Sequence, residues 1–381
     1  MPTDRVPFTD LLSNIVDNRG RTCPTADHGM PLIATNCIVN DRLYPVHEKV
    51  RYVSEKTYDT WFRGHPEPGD VIFVCKGSPG NVALAPDPVG FCIAQDMVAV
   101  RADPQAVYPK FLFAALRSPL VQTEIANLHV GTLIPHFKKG DFDKLLIPLP
   151  DRSTQVFIGD FYFELSSKAE VNSRTAELCG LLAAALFSDS ATHDVRLSDV
   201  ADAIMGQSPP GSTYNEERVG LPFYQGRRDF GYRFPSERIW CSAPTRIAER
   251  HDVLLSVRAP VGALNVTRDR CAIGRGVAAI RSEAFPSTVF HSLNSDSSVW
   301  APFEHEGTLF GSIGKSQVNE LSLKWPTGDA GELETVLAAL DAMVAALETE
   351  TDRLTAIRDT LLVKLLAGDL QVDHDLAQEA V

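Results

Sequence analysis

With 381 residues, 44% of them hydrophobic and 22% charged, and a mean hydropathy of -0.07, this sequence describes a soluble globular chain of two domains rather than one. Disorder, collagen and a coiled coil throughout are excluded, as is a membrane span, for which no stretch approaches the roughly 18 to 20 uncharged apolar residues required. The formal net charge of -13 weighs against a nucleic-acid partner, whose phosphates require a local excess of Lys and Arg, until its distribution along the chain is considered.

Residues 1–150 read as a first domain. Their apolar runs are short and rich in β-branched residues, from Val71 to Val74 and, with alternation, from Phe91 to Val100, and Gly77-Ser78-Pro79-Gly80 punctuates them. That is strand and turn chemistry. A helical patch from Pro109 to Leu128 makes the expected domain mixed α+β. Residues 151–192 change period: Thr154, Ile158, Phe161, Leu165, Lys168, Asn172, Thr175, Cys179, Leu182 and Leu186 alternate spacings of four and three, the seam of a coiled coil, parallel or antiparallel, interrupted by polar residues in its middle. Residues 193–327 return to strands from Val253 to Val257 and from Val277 to Ile280, with the turn Ala259-Pro260-Val261-Gly262 and a weaker helical patch from Ser287 to Phe303. Residues 328–370 repeat the seam at Leu333, Leu337, Leu340, Val344, Leu347, Thr351, Leu354, Arg358, Leu361 and Leu365, and residues 371–381 form an acidic tail. Helices of roughly 30 to 36 residues would run about 45 to 54 Å. Each has little company in its own domain, so the natural partner is the other helix; packing on its own domain is the alternative.

The two domains are copies of one another. Gly20-Arg21-Thr22-Cys23-Pro24 corresponds to Gly206-Gln207-Ser208-Pro209-Pro210, and Gly29-Met30-Pro31-Leu32-Ile33 to Gly220-Leu221-Pro222-Phe223-Tyr224. Asp70-Val71-Ile72-Phe73-Val74-Cys75-Lys76 with Gly80 corresponds to Asp252-Val253-Leu254-Leu255-Ser256-Val257-Arg258 with Gly262. Gly131-Thr132-Leu133, Leu145 and Pro150 correspond to Gly307-Thr308-Leu309, Leu321 and Pro326. Four blocks in the same order identify a long internal repeat.

The repeat also resolves the charge. Residues 1–150 hold 15 basic and 16 acidic residues and residues 196–327 hold 15 and 14, whereas residues 151–195 hold 3 and 7 and residues 328–381 hold 3 and 12. All the excess acidity lies on the helical stretches, and a neutral domain can present one basic face. Cys23, Cys37, Cys75, Cys92, Cys179, Cys241 and Cys271 are odd in number and scattered, with no partner at zinc spacing, and are expected to be reduced and mostly buried. The start Met1-Pro2-Thr3-Asp4-Arg5 lacks the apolar core of a signal peptide, so the cytoplasm is the expected compartment.

No catalytic constellation emerges. Gly311-Ser312-Ile313-Gly314-Lys315-Ser316 resembles the end of a phosphate-binding loop, but Leu309 stands where that loop requires its first glycine. Gly274-Arg275-Gly276 lacks the third glycine of a dinucleotide fingerprint. What remains are polar residues at corresponding places in both copies. Arg21, Thr22 and Thr25 match Gln207, Ser208, Ser212 and Tyr214 on Gly/Pro loops, and Gln225, Arg227 and Arg228 stand where the first copy has Ala34, Thr35 and Asn36. Arg, Gln and Asn can read base edges bidentately, while Lys more often holds phosphate. Lys76 and Arg258, with Lys138, Lys139 and Lys315, are the phosphate candidates. These residues form a DNA-binding set whose scaffold repeats more closely than its polar groups, as in two related readers of different sequences.

The order of features resembles the specificity subunit of type I restriction-modification systems. The residues that carry the resemblance are Leu197-Ser198-Asp199-Val200-Ala201 leading to Gly206-Gln207-Ser208-Pro209-Pro210, Gly220-Leu221-Pro222-Phe223, Asp252 to Gly262, and, closing the first copy, Gly131 to His136 with Leu146-Ile147-Pro148-Leu149-Pro150. The resemblance implies an α+β chain of two target recognition domains held apart by two long helices in an antiparallel coiled coil. It implies that each domain reads one half of an asymmetric bipartite site in double-stranded DNA, and that the chain docks two methyltransferase subunits and, through them, restriction and translocase subunits. On that reading the chain has no catalytic residues, no metal and no cofactor of its own, S-adenosylmethionine being carried by the methyltransferase subunits. A scaffold or inhibitor of the same shape that reads no DNA is the alternative, favoured by the net charge.

Overall fold

The computed structural model describes residues 4–18, 22–128, 131, 135–304 and 311–370. The Gly20-Arg21 part of the first repeat block, Thr132-Leu133, Gly307-Thr308-Leu309 and the tail 371–381 lie outside the described residues. Two compact units are formed: Met1–Asn172 with Glu350–Val381, and Ser173–Thr349. The long helices are therefore each divided between the units, rather than assigned whole to the domain they follow.

The first unit contains β1 (Asp4–Pro7), β2 (Leu12–Asp17), β3 (Met30–Ile33), β4 (Arg51–Val53), α1 (Glu55–Trp61), β5 (Val71–Val74), β6 (Val82–Leu84), β7 (Cys92–Ile93), β8 (Met97–Ala102), α2 (Pro109–Arg117), α3 (Pro119–Leu128), β9 (Leu146–Leu149) and the first half of α4 (Arg152–Ser190). One sheet has the order β2-β8-β5-β6, a second β4-β3-β7, and β1 pairs with β9 at the root of α4. The unbroken apolar run of β5 follows from its place between two cores: Val71 and Phe73 face the core built by α2, α3 and α4, while Ile72 and Val74 face the core under β3 and β7. A strand covered on both faces loses the polar alternation of an edge strand. The apolar stretch 91–100 is two strands instead of one, and the helical patch 109–128 is two helices, because Pro119 opens a new helix after Arg117.

The second unit repeats this plan. It contains the rest of α4, β10 (Ala191–Arg196), α5 (Leu197–Val200), β11 (Asp202–Met205), β12 (Tyr214–Asn215), β13 (Leu221–Tyr224), β14 (Trp240–Cys241), β15 (Ile247–Ala248), β16 (Val253–Ser256), β17 (Leu264–Val266), β18 (Cys271–Ile273), β19 (Val277–Arg281), α6 (Pro286–Ser295), α7 (Ala301–Glu304), α8 (Lys315–Asn319), β20 (Ser322–Pro326) and the first part of α9 (Ala330–Ala367). Its sheets run β11-β19-β16-β17, β12-β14-β13-β18-β15 and β10-β20. The first and last of these reproduce the first unit strand for strand, and the second repeats β4-β3-β7 as β14-β13-β18, parallel pairing included, with β12 and β15 added at its edges.

Each copy carries the same buried ion pair. Asp70 is 2% exposed and accepts from Arg101 at 2.8 and 3.0 Å; Asp252 is 3% exposed and accepts from Arg281 at 2.9 and 2.7 Å. Each carboxylate also accepts a backbone N–H, from Glu67 and from Glu249, at 2.8 Å. This explains the aspartate that opens both apolar runs: it ties the turn before the central strand to the neighbouring strand.

The two long helices pack together antiparallel. Within the first unit Ser166 meets Arg358 and Asn172 meets Glu350; within the second, Cys179 meets Met343, and Ala183 and Phe187 pack with Leu333, Leu337 and Leu340. Each helix also holds its own domain. The Gln155 side chain accepts from Tyr108 N at 2.9 Å at the head of α2, and at the corresponding place Glu334 accepts from Ser287 N and Thr288 N at 3.1 and 2.8 Å at the head of α6. Gly159 allows α4 to lie against α2, since a Cβ there would stand 2.7 Å from the Phe111 nitrogen. On α9, Leu337, Val344, Arg358 and Leu365 are buried and Leu340, Leu347, Leu354 and Leu361 half-buried, on the face that the period indicates.

On α4 the expected seam needs correction. Ile158 is buried and Phe161 and Leu165 are half-buried, but Leu182 and Leu186 are 51% and 36% exposed. The buried positions are Gln155, Tyr162, Ala169, Ala176 and Ala183 at seven-residue spacing, with Phe187 beyond them. Alanine permits close helix approach, so the small residues face inward and the leucines beside them face out. The polar interruption is a polar layer: Asn172, 1% exposed, donates to Glu350 at 2.8 Å and accepts from Lys168 at 2.8 Å, and Lys168 pairs with Glu350 at 3.1 Å. A buried amide in a helical seam fixes register.

Asp341 of α9 anchors the helix within the second unit by accepting from Arg233 at 2.6 Å and from His291 at 3.1 Å. Burial raises its pKa, but the His291 hydrogen bond and the Arg233 charge outweigh burial and hold the carboxyl below its usual value. Its contribution is therefore present above the unfolded-state value, about 3.9, and is lost as pH falls through the lower folded-state value. Asp341→Asn is expected to flatten the pH dependence of stability below about pH 4 by up to one proton, measured by urea unfolding across the acid range. An unchanged slope would remove Asp341 from the acid response.

Candidate nucleic-acid interface

Three strand ends converge in the second unit. Beyond β13 the chain runs Gln225-Gly226-Arg227, beyond β18 it turns through Gly274-Arg275-Gly276, and beyond β16 it reaches Val257-Arg258. Backbone bonds lock them side by side: Gly274 N donates to Tyr224 O at 2.8 Å, Val257 N to Gly276 O at 3.0 Å, and Gln207 N to Ile273 O at 3.0 Å. Gly276 is required here, because a Cβ would stand 2.1 Å from the Gln225 carbonyl. The result is a cleft of about 280 Å³ lined by Ser208, Gln225, Arg227, Ser256, Arg258 and Arg275, with backbone from Gly226, Ala259 and Gly276. Ser256 Oγ donates to the Arg258 and Pro260 carbonyls at 3.0 and 2.7 Å and so sets the turn that carries Arg258. Ser208 Oγ accepts from Arg275 N at 3.3 Å.

Ion pairing is uneven among the arginines of this unit. Arg233, Arg238, Arg268, Arg270 and Arg281 all pair with carboxylates. Among the described residues, Arg227, Arg228, Arg258 and Arg275 have no carboxylate within 4 Å, and all four are exposed. Three guanidinium groups therefore face one cleft without internal neutralisation, an arrangement suited to a polyanion.

The structure thus brings together Ser208, Gln225, Arg227 and Arg258 of the expected set and adds Arg275, which sequence reading rejected as part of a nucleotide fingerprint. Its signal was present: a cationic residue between two glycines, at the end of a strand beside the one ending at Tyr224. Arg228, Gln207 and Lys315 are exposed outside the cleft lining. Tyr214 is turned inward, its hydroxyl donating to Pro209 O at 2.8 Å and its ring lying 4.7 Å from that of Phe223, so it shapes the loop instead of presenting a reading group.

The first unit places the corresponding residues the same way. Ala94 N donates to Ile33 O and Cys75 N to Asp96 O, both at 2.9 Å, the counterparts of the Gly274 and Val257 bonds. Lys76 thereby stands at the place of Arg258 and Gln95 at that of Arg275, while the short turns that begin at Thr35 and at Arg227 put Thr35 and Asn36 at the places of Arg227 and Arg228. Asn36 is exposed and its amide donates to Glu48 O at 2.7 Å. Thr35 is half-buried beside Gly77, and Lys76, Lys138 and Thr22 are exposed. Lys139 forms an ion pair with Asp17, which neutralises it as a phosphate contact. Arg21 lies outside the described residues.

All seven cysteines are free thiols, and burial pushes Cys75, Cys92 and Cys271 up to about 12. Among the described residues no group of His, Cys, Asp and Glu is arranged to hold a metal ion, and no helix is long and apolar enough to cross a membrane.

Comparison with known proteins agrees with this architecture. Residues 17–177 match the family model of the type I restriction modification DNA specificity domain. Over 174 residues the chain is 32% identical to the type I restriction enzyme MjaX specificity subunit of Methanocaldococcus jannaschii, a match covering 44% of this chain and 40% of that relative, so less than half of the relative's length is spanned. The S subunit of a type I restriction-modification system from M. genitalium superposes with a TM-score of 0.61 at 18% identity over 95% of each chain, and has the same fold. The HsdS subunit of Thermoanaerobacter tengcongensis is 27% identical over 97% of each chain, with a TM-score of 0.36. Residues 17–177 are thus similar to the type I restriction modification DNA specificity domain, and the chain has the fold of the M. genitalium S subunit.

Proposed function

We propose that this protein is the DNA-reading subunit of a type I methyltransferase and restriction complex. Each recognition domain engages one half of an asymmetric bipartite site in double-stranded DNA, and the paired helices span the unread bases between the halves. The observation that carries this reading is the cleft of Arg227, Arg258 and Arg275, cationic and without carboxylate partners among the described residues, with its polar counterpart at Thr35, Lys76 and Gln95. Net charge favours a scaffold that reads no DNA, but 19 of the 49 acidic residues lie in the segments 151–195 and 328–381, outside the two neutral domains of the sequence.

The helices provide the surface for partner subunits. Leu178, Leu181 and Leu182 of α4 are 57%, 67% and 51% exposed, an apolar stretch that water disfavours and that a methyltransferase subunit would cover. Two such subunits carry S-adenosylmethionine and the methylation chemistry, and restriction and translocase subunits join through them, so this chain supplies specificity and no catalytic group.

A long-read map of N6-methyladenine in the source genome, with and without the gene, tests this function. Loss of methylation at one bipartite motif on deletion is the expected result. An unchanged map would overturn the reading in favour of the scaffold.

A further inference from the structure

The duplicated interface allows the two halves of the DNA target to be compared chemically, position against position. The backbone bonds place Gln95 with Arg275 and Lys76 with Arg258 on equivalent strand ends, and the matching short turns 35–37 and 227–229 place Asn36 with Arg228. At one pair the two copies keep the same charge: Lys76 and Arg258 are both exposed cations that follow the central strand of their sheet. At the other two pairs the chemistry changes in the same sense, from carboxamide in the first unit to guanidinium in the second.

This division has a physical meaning if the proposed DNA-reading function holds, on which the inference rests. Phosphates are identical in both halves of any site, so a phosphate contact asks only for positive charge and can be Lys in one copy and Arg in the other. Bases differ between the halves of an asymmetric site, so base-reading positions should differ in hydrogen-bonding type. A guanidinium donates two bonds to the O6 and N7 of guanine, whereas a carboxamide accepts from N6 and donates to N7 of adenine.

We infer that Arg228 and Arg275 direct the second unit to guanine, that Asn36 and Gln95 direct the first unit to adenine, and that Lys76 and Arg258 are the phosphate contacts common to both. The local geometry agrees. Ser208 Oγ accepts from the backbone nitrogen of Arg275 and anchors the turn from which this side chain projects. The Asn36 amide spends one of its two N–H groups on Glu48 O, which orients it and leaves its oxygen and second N–H for a base edge.

The full chain, co-expressed with its methyltransferase subunits, provides the test through methylation maps of the host genome. The wild-type complex is expected to mark a bipartite motif. Arg228→Gln and Arg275→Gln should each relax one G·C position, both in the same half, with roughly a ten- to hundredfold loss of discrimination there. Asn36→Ala should relax an A·T position in the other half. Arg275→Lys keeps the charge but loses the paired donors, so it should relax the same position while the complex remains DNA-bound, which separates base reading from a folding defect. Arg258→Gln should weaken methylation at all sites and leave the motif unchanged. A wild-type motif that these arginine variants leave intact, or that they alter at A·T positions or in both halves, overturns the guanine assignment while the DNA-reading function stands. Absence of any motif from a complex with active methyltransferase overturns that function itself.

Discussion

Asp252→Ala is expected to destabilise the second unit by about 3–5 kcal/mol, the cost of breaking a buried ion pair by removing one partner. The carboxylate is 3% exposed and accepts from the Arg281 fork and from Glu249 N, so its loss leaves a buried backbone donor and a guanidinium without an acceptor. Arg281 is itself one-third exposed, so water recovers part of its share, which places the effect toward the lower end of that range. Guanidinium unfolding followed by tryptophan fluorescence reads the change, because Trp240, Trp300 and Trp325 all belong to this unit. Asp252→Asn keeps the volume and one acceptor and should cost less. A loss below about 1 kcal/mol for the alanine variant would show that the turn before the central strand is held by other contacts.

The triple substitution Arg227→Ala, Arg258→Ala, Arg275→Ala should have the largest effect on DNA binding by the assembled complex. One base contact at about 1–3 kcal/mol, with two further cationic contacts, corresponds to about a hundred- to ten-thousandfold loss of affinity for the target site. Salt separates the contributions. Each phosphate contact contributes about 0.9 to the slope of log affinity against log salt, so Arg258→Ala alone should flatten that slope by about one, and Arg275→Ala should leave it nearly unchanged. All three side chains are exposed, so the triple variant should keep its thermal stability. Equal affinity of the variant and the wild-type complex for the target would remove this cleft from the DNA interface.

Local pattern carried much of the architecture. The matched blocks identify the duplication because strands at the centre of both copies must be apolar on both faces and the turns around them must be glycine and proline. The seam of α9 was equally legible, since its leucines and valines recur on one face with acidic residues opposite. On α4 the same reasoning selected Leu182 and Leu186, which are exposed, and passed over Ala169, Ala176 and Ala183, which are buried. Alanine and leucine are both apolar, so period alone could not decide which row faces the other helix. The candidate interface shows the same limit: Gln225, Arg227 and Arg258 followed from position in the repeat, while Arg275 joined them only through the pairing of β13 with β18.

What the sequence determined by itself, then, was whatever depends on spacing along the chain: two copies of one α+β domain, the long helices after them and the acidity confined to those helices. The tertiary structure decided what depends on neighbours distant in sequence. It placed alanines in the α4 seam, neutralised Lys139 with Asp17, turned Tyr214 toward Pro209, buried Asp70 and Asp252 under arginines from the adjacent strand, and left three arginines without carboxylate partners in one cleft among the described residues. The physical reason is that burial and charge pairing are properties of contacts, and strand order and helix rotation, which fix those contacts, are settled by packing of the whole unit.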